Sequence, residues 1–491
     1  MTSFRELREA RLAAEQGTIF AQAELPVALV YPSPYHVGMS SLGFQPIYRE
    51  LNALPAVAAE RAFLPDDVPA AAAAREILCT YESNRPIADF PIVAFSLAYE
   101  LEIVGLVHCL DLAGIPALAT ERDVHDRRWP LVVVGGPLTF SNPVPAAPLA
   151  DVIVMGEAEE AVAALVQAFR ASPDKRALLE TLAVTAGFFV PALHGERPPP
   201  VLAASNARLP AHSQIVTPHT ELANMFLIEA ARGCSRTCTY CVMRRSTNGG
   251  MRKATPEQVL ARIPDYARRV GLVGAAVTDH PRLPEILSAL VDSGRGVGVS
   301  SLRADRLDDE LVSLLAAGGY RTLTTAADGA SQRLRDQIQR GTSEENLLHA
   351  ARLCQAHGMA GMKLYTMLGL PGETMADVDE LVRFAIELAA IAPRLVLAVA
   401  SFVAKRNTPL DGAPFADIAS LESRLARLRT GMRGHAKLLG DSPKWAWIEY
   451  RLAQGGAAEG LATVRAARAG GGFAAWKAAL SSENARSVIQ R

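Results

Sequence analysis

Apolar and polar positions along the chain fall into two stretches that alternate short hydrophobic runs with amphipathic helical periods, separated by a proline-rich segment. In the first stretch, residues 26–186, β-branched runs predict strands at Val27–Tyr31, Ile92–Ser96, Leu131–Val134 and Asp151–Val154. Several are apolar throughout, as expected of strands covered on both faces of a parallel sheet. Helical periods such as Leu101–Ala113 serve as crossovers, which predicts a doubly wound, Rossmann-like α/β sheet. Residues 1–25 form a charged amphipathic helical segment ahead of it. Residues 187–222 read as a linker, because Pro191–Pro210, which includes Pro198, Pro199 and Pro200, has no period of its own.

The second stretch, residues 223–410, predicts six strands: Met225–Ala230, Leu272–Thr278, Val297–Leu302, Arg321–Ala326, Met362–Leu368 and Leu395–Val403. Helices are predicted between them at Pro256–Arg269, Pro281–Ser293, Arg306–Ala317, Glu344–His357 and Ala376–Ile391. Six such units make a partial (β/α)6 TIM-like barrel. Residues 411–491 predict a small, mostly helical region. It opens with a helix whose polar face carries Arg424, Arg427, Arg429 and Arg433, and it later carries Trp445, Trp447 and Trp476. A basic helix face is most often a solvated surface, and tryptophans most often anchor packing.

Composition narrows the class. Hydrophobic residues make up 49% of the 491 and aromatics 6%, with a net charge of −1, so no global field draws the chain to nucleic acid or membrane. No run of about eighteen apolar residues is present, so no membrane span is expected. The first residues are charged and carry no secretory core.

The candidate chemistry lies in Arg232-Gly-Cys-Ser-Arg-Thr-Cys-Thr-Tyr-Cys241. Cys234, Cys238 and Cys241 at C-x3-C-x2-C spacing can ligate three irons of a cubane cluster and leave the fourth open. A structural zinc site wants a second ligand pair, and none follows. Cys79, Cys109 and Cys354 are solitary in apolar segments, which reads as small buried thiols rather than a disulfide framework. The cysteine loop directly follows the first predicted barrel strand, and ligands gather at the carboxyl ends of parallel strands. An exposed iron and unpaired thiols suit a reducing compartment, so a cytoplasmic location is expected.

With Tyr240 just before the third cysteine, this loop resembles the signature of the radical S-adenosylmethionine (radical SAM) superfamily. The resemblance implies a 4Fe-4S cluster whose open iron chelates S-adenosylmethionine. It also implies an external electron donor of flavodoxin or ferredoxin type and release of a 5′-deoxyadenosyl radical. It assigns Tyr240 to the adenine, Asp279 to the methionine amine, and Ser301 with Arg303 to the methionine carboxylate and ribose. Asp328, where many relatives carry glutamate, falls near the ribose hydroxyls. Gly369-Leu370-Pro371-Gly372-Glu373-Thr374 matches the family's Gly-Leu-Pro-Gly-Glu-Thr, which brings Leu370, Pro371 and Gly372 toward adenine. No catalytic side chain is assigned.

For the first domain, methylthiotransferases of the superfamily are disfavoured, because they bring three further cysteines and this domain holds only Cys79 and Cys109. Leu131–Pro137 and Ala150–Glu159 instead resemble the late half of the cobalamin-binding domain of cobalamin-dependent radical enzymes. The candidate cobalamin residues are Ser40, Gly135, Gly136, Pro137, Gly156 and Glu157. The histidine-on motif Asp-x-His-x-x-Gly is replaced by Ser33-Pro34-Tyr35-His36-Val37-Gly38-Met39-Ser40, so His36 is not expected to ligate cobalt. Val37–Gly43, Glu60–Phe63 and Ser442–Glu449 further resemble an uncharacterised group with this domain order.

The expected activity is cobalamin-dependent methyl transfer to an unactivated carbon. The alternatives are radical hydrogen abstraction or rearrangement with a cobalamin-free first domain, and an RNA-binding or redox protein with a structural cluster. The expected substrate is a small molecule, peptide or lipid, with nucleic acid not expected.

Overall fold

The structure, a computed structural model, describes residues 4–122, 128–243, 250–300 and 302–481. The chain divides into two compact units, one of Met1–Asn224 with Arg451–Arg491 and the other of Met225–Tyr450.

The first unit is built on one six-stranded sheet. Its strands are β1 (Leu25–Pro34), β2 (Val57–Leu64), β3 (Ile92–Ser96), β4 (Leu131–Gly135), β5 (Val152–Val154) and β6 (Phe188–Phe189). They are ordered β2-β1-β3-β4-β5-β6, all parallel except the β5/β6 pair. Side chains alternate between two cores. Ala28, Val30, Val93, Phe95, Val132 and Val134 enter one, while Val27, Leu29, Ile92, Leu131 and Val133 enter the other. This two-sided burial explains the unbroken apolar runs.

The sequence pattern did not predict β2, because Glu60 and Arg61 interrupt it. All eight of its residues are nevertheless buried. The Arg61 guanidinium is held by Glu15 at 2.7 Å and Glu82 at 2.6 Å, so the charge is paired inside. The linker segment is also more ordered than its composition suggests. It contains β6, the helix Pro191–His194 and a bridge from Leu202 to Gly156.

The second unit contains β7 (Phe226–Glu229), β10 (Arg269–Val273), β11 (Gly296–Val299), β12 (Thr322–Asp328), β13 (Gly361–Leu368) and β14 (Leu395–Ser401). Five are at their expected places, while β10 overlaps the expected Leu272–Thr278 only at Leu272 and Val273, and Val277–Asp279 is a 3-10 turn. A seventh, β15 (Lys437–Gly440), pairs in parallel with β14. Hydrogen bonding groups them as β11-β10-β7 and β12-β13-β14-β15, so among the described residues the strand ladder is interrupted between β11 and β12. A short antiparallel pair, β8 (Ala231–Gly233) with β9 (Met251–Lys253), brackets the cysteine loop.

Four helices keep the expected positions to within a few residues, at Leu283–Asp292, Asp309–Ala317, Glu344–Ala356 and Met375–Ile391. The helix expected at Pro256–Arg269 covers only Pro256–Leu260. Pro264 has no N–H to continue it and disfavours helix at Ile263.

The C-terminal stretch does not form one region. The helix Ile418–Gly431 and β15 belong to the second unit, while the helices Ala457–Arg468 and Phe473–Ser481 belong to the first. There the Asn142 side-chain amide donates to the carbonyls of Leu452, Ala453 and Gly455. Val464 and Ala467 join the core on one face of the six-stranded sheet.

Candidate functional site

In the second unit the chain turns out of β7 and β8 through Gly233, at φ +88°, straight into Cys234. The loop that follows is fixed from two sides. On one side, Asp279 accepts from Ser235 Oγ at 3.2 Å and from Arg236 at 3.1 and 3.3 Å. Arg236 also reaches Asp305, at 3.1 Å, and Arg303 binds the same Asp305 at 3.0 Å. Arg303 and Arg306 flank Asp279 at 3.6 and 3.4 Å. Burial opposes ionisation of Asp279, but the Arg236 hydrogen bonds and the charge of Arg303 outweigh it and hold its carboxyl below the usual range.

On the other side, Thr239 N–H donates to Ile338 O at 3.1 Å and Leu410 N–H donates to Thr239 O at 3.2 Å. Cys238 Sγ approaches Gln339 O at 3.6 Å. Gln339 itself is left-handed, at φ +53°, which turns its carbonyl to the thiol. Burial is the main cause that pushes the Cys241 thiol up. Among the described residues no three His, Cys, Asp or Glu side chains converge on a single-ion site. The donor set is three soft thiolates from one loop, the chemistry an iron–sulfur cluster uses.

The buried hydroxyls of Thr239, in this loop, and of Thr342, in the segment packed against it, have no hydrogen-bond partner among the described residues. A native interior leaves few such atoms, and their place beside a candidate ligand site fits a group bound there.

Tyr240 O–H donates to Asp328 at 2.7 Å, and Asp328 is left-handed at φ +61°. The pairing brings together two residues expected to face the nucleoside. Arg303 is 3% exposed and committed to Asp305 and Asp279. Ser301 lies outside the described residues. In the loop after β13, Leu370 is buried, Pro371 O accepts from Gln337, and Gly372 O accepts from Arg333. Glu373 is an internal brace, receiving Gly369 N–H and Arg424, each at 2.8 Å. The sequence reading missed Arg236, Asp305 and Arg340. Only Arg236 carried a signal, its place between two cysteines.

In the first unit the glycine turns are spoken for. A Cβ on Gly136, at φ +103°, would lie 2.5 Å from Leu97 O, and one on Gly156, at φ +91°, would lie 2.3 Å from Leu202 O. Glu157 is buried and accepts Ala204 N–H at 2.7 Å. Gly156 and Glu157 therefore serve the chain's own packing. Ser40, Gly135, Gly136 and Pro137 remain at least partly accessible at the carboxyl edge of the sheet. His36 lies there too, half exposed and 4.0 Å from Asp66. A cavity of about 640 Å³ opens at the opposite, amino ends of β3 and β4, among Phe90, Pro91, Trp129, Phe169 and Lys175. Ligands of doubly wound sheets bind at the carboxyl ends, so this cavity is not the expected site.

A run of parallel β/α units with a C-x3-C-x2-C loop after its first strand defines a class of cluster-binding radical proteins. Comparison with known proteins agrees. Residues 228–385 match the model of the radical SAM superfamily, and residues 43–191 match that of radical SAM proteins, N-terminal. The chain belongs to the radical SAM superfamily. Membership brings a 4Fe-4S cluster and S-adenosylmethionine.

An uncharacterised protein of Methanocaldococcus jannaschii is 31% identical over 199 residues, covering 40% of this chain and 44% of that protein. The chain's matches span less than two thirds of each curated relative. The radical SAM methyltransferase TsrM of Kitasatospora setae, solved with cobalamin and a [4Fe-4S] cluster bound, has a TM-score of 0.51 at 15% identity, covering 80% of this chain and 76% of TsrM. The cobalamin-dependent S-adenosylmethionine radical enzyme OxsB, solved with aqua-cobalamin bound, has a TM-score of 0.53 at 15% identity, covering 75% of this chain and 53% of OxsB. At that identity the likeness is one of fold. Among the described residues, no helix is long and apolar enough to cross a membrane.

Proposed function

We propose that the protein is a radical SAM enzyme in which Cys234, Cys238 and Cys241 hold the 4Fe-4S cluster, and that it transfers a methyl group with the help of cobalamin. The observation that carries the radical assignment is the cysteine loop. It sits at the carboxyl end of β7, braced by Asp279 and the 338–342 segment, with the unpartnered buried hydroxyls of Thr239 and Thr342 beside it. When bound, cluster and S-adenosylmethionine supply a 5′-deoxyadenosyl radical to a substrate bond.

The chain's own part is to orient and to exclude water. Tyr240 and Asp328, joined by a 2.7 Å hydrogen bond, form a wall for the nucleoside. The carboxylate of the bound methionine calls for a guanidinium fork, and Arg306, 55% exposed at its side chain, is more available than Arg303. Asp279 already has three arginines against it, so it holds the loop and its arginines in place rather than meeting an ammonium alone. The loop after β13 offers backbone to adenine at Gly372, which is exposed and left-handed at φ +75°.

Support for cobalamin is the shared fold with TsrM and OxsB over most of the chain, together with the accessible Ser40, Gly135, Gly136 and Pro137 at the sheet's carboxyl edge. These four would hold the corrin, which supplies a methyl carrier when bound. A reducing, cytoplasmic setting and an external one-electron donor go with this reading.

The test is anaerobic reconstitution with iron, sulfide and cobalamin. Stoichiometric sulfide, corrin absorption bands and dithionite-dependent 5′-deoxyadenosine support the whole proposal. 5′-Deoxyadenosine without corrin leaves the radical enzyme and removes methyl transfer. Zinc in place of iron and sulfide removes both.

A further inference from the structure

The two loops proposed to meet the nucleoside are tied to each other. One follows β12 and runs from Asp328 through Ser331 into the short helix Gln332–Gln337. The other follows β13, carries Pro371, Gly372 and Thr374, and opens the helix Met375–Ile391. A single buried carboxylate joins them. Asp377, its side chain 6% exposed, accepts from Thr374 N–H at 2.8 Å and Thr374 Oγ1 at 2.9 Å. From the other loop it accepts from Ser331 Oγ at 2.6 Å and Arg333 Nη2 at 2.7 Å. Burial opposes its ionisation, but the hydrogen bonds from Ser331 and Arg333 outweigh it and hold the carboxyl well below the usual range.

Arg333 carries the tie onward. The same Nη2 donates to Gly372 O at 3.0 Å. Gln337 Nε2 donates to Pro371 O at 2.9 Å, and Gln332 N–H donates to Glu380 Oε1 at 2.8 Å. Both carbonyls of the Pro371–Gly372 turn are therefore gripped from the neighbouring helix. Space is open beside Gly372, where an added Cβ would meet nothing within 4 Å among the described residues. On that face the turn is placed by polar ties rather than by packing.

We infer that Asp377 and Arg333 are positioning residues for the adenosyl half of S-adenosylmethionine. They fix the Pro371–Gly372 turn against the Asp328 loop and so set the affinity for the nucleoside without touching it. The inference rests on the proposed roles of Asp328 and Gly372 in meeting that nucleoside. A turn already in its bound place loses no affinity to ordering when the ligand arrives, whereas an untied turn does. The methionine half, proposed to meet the cysteine loop and Arg306, does not depend on this turn.

The experiment is equilibrium competition against labelled S-adenosylmethionine on the anaerobically reconstituted full-length protein, with iron, sulfide and melting temperature measured on every sample. The competitors are 5′-deoxyadenosine, which carries the adenosyl half alone, and L-methionine, which carries the other. The variants are Arg333→Met, Arg333→Lys and Asp377→Asn. Arg333→Met is expected to weaken S-adenosylmethionine and 5′-deoxyadenosine by the same factor, about three- to tenfold, the equivalent of one net hydrogen bond. L-Methionine affinity and cluster content should stay at the wild-type value. Arg333→Lys, which keeps the charge but loses the fork, should fall between. Asp377→Asn should show the same pattern with a lower melting temperature, because it also weakens the start of the helix Met375–Ile391.

Unchanged 5′-deoxyadenosine affinity in Arg333→Met overturns the inference. Equal weakening of 5′-deoxyadenosine and L-methionine also overturns it, since that is general loosening of the unit. If Asp377→Asn does not fold, Arg333→Met decides alone, its side chain being 54% exposed and outside the helix cap. A wild-type protein that holds no iron and sulfide, or binds no S-adenosylmethionine, overturns the proposed function and this inference together. Metal analysis and direct binding on the wild type separate that outcome from the others.

Discussion

The two carboxyl edges of this protein treat their special residues in opposite ways. In the first unit, Gly136 and Gly156 make room for the chain itself, for Leu97 and Leu202, and Glu157 caps Ala204 N–H. In the second, hydroxyls at the cysteine loop are left wanting, with those of Thr239 and Thr342 buried and unpartnered among the described residues. A glycine or an acid in a sequence signals only that something comes close. Whether the close neighbour is protein or ligand is read from what remains unsatisfied once the chain has folded.

That contrast can be broken in order of effect. Replacing any one of Cys234, Cys238 or Cys241 with alanine should reduce dithionite-dependent 5′-deoxyadenosine to background. Turnover at the wild-type rate in such a variant would remove the loop from the chemistry.

Next, Gly136→Ala and Gly156→Ala should each destabilise the first unit by about 2–5 kcal/mol, from left-handed strain plus overpacking against backbone. Gly372→Ala, with nothing within 4 Å of its added Cβ, should cost only about 1–2 kcal/mol. Thermal melts that ranked the three equally would mean the first unit's turns are not filled as described.

Asp279→Asn should cost about 1–2 kcal/mol at neutral pH, because the amide keeps one oxygen acceptor for Arg236 and Ser235 and only part of the network depends on the charge. Asp279 is held below its ordinary range in the fold. Its contribution is therefore present above the unfolded value near ~3.9 and is lost as pH falls through the lower folded value. Wild type and variant should converge in acid melts, and a gap that widened there would contradict the clamp. The smallest effect is expected at His36, whose imidazole faces Asp66: His36→Ala should leave bound cobalamin within a few per cent of wild type, and complete loss would make it a ligand.

What could be read from the sequence followed from locality. Strands written as β-branched runs and helices with clean periods were placed to within a few residues, and the cysteine spacing named its own chemistry. β2 could not be read, because the pairing that allows Arg61 inside comes from Glu15 and Glu82, far off in the chain. β15 is four residues long and mostly exposed, and only its parallel pairing with β14 makes it a strand. Arg340 was hidden for a different reason. Its approach to Asp328, beside the Gln339 carbonyl that meets Cys238, depends on a left-handed turn at Gln339, and nothing in a glutamine announces that conformation. The glycine turns were visible, but what fills them was not.

The return of the helix Ala457–Arg468 to the first unit has a consequence for how the protein is made. Its Gly460 packs so tightly on Pro145 that a Cβ there would lie 2.1 Å from the carbonyl oxygen, and its Val464 and Ala467 close one side of the sheet. During synthesis, the nascent amino-terminal sheet therefore leaves the ribosome with part of a greasy face bare while more than two hundred later residues are still being translated. Chaperones that shield apolar surface should engage this chain early and release it only after its final helices emerge.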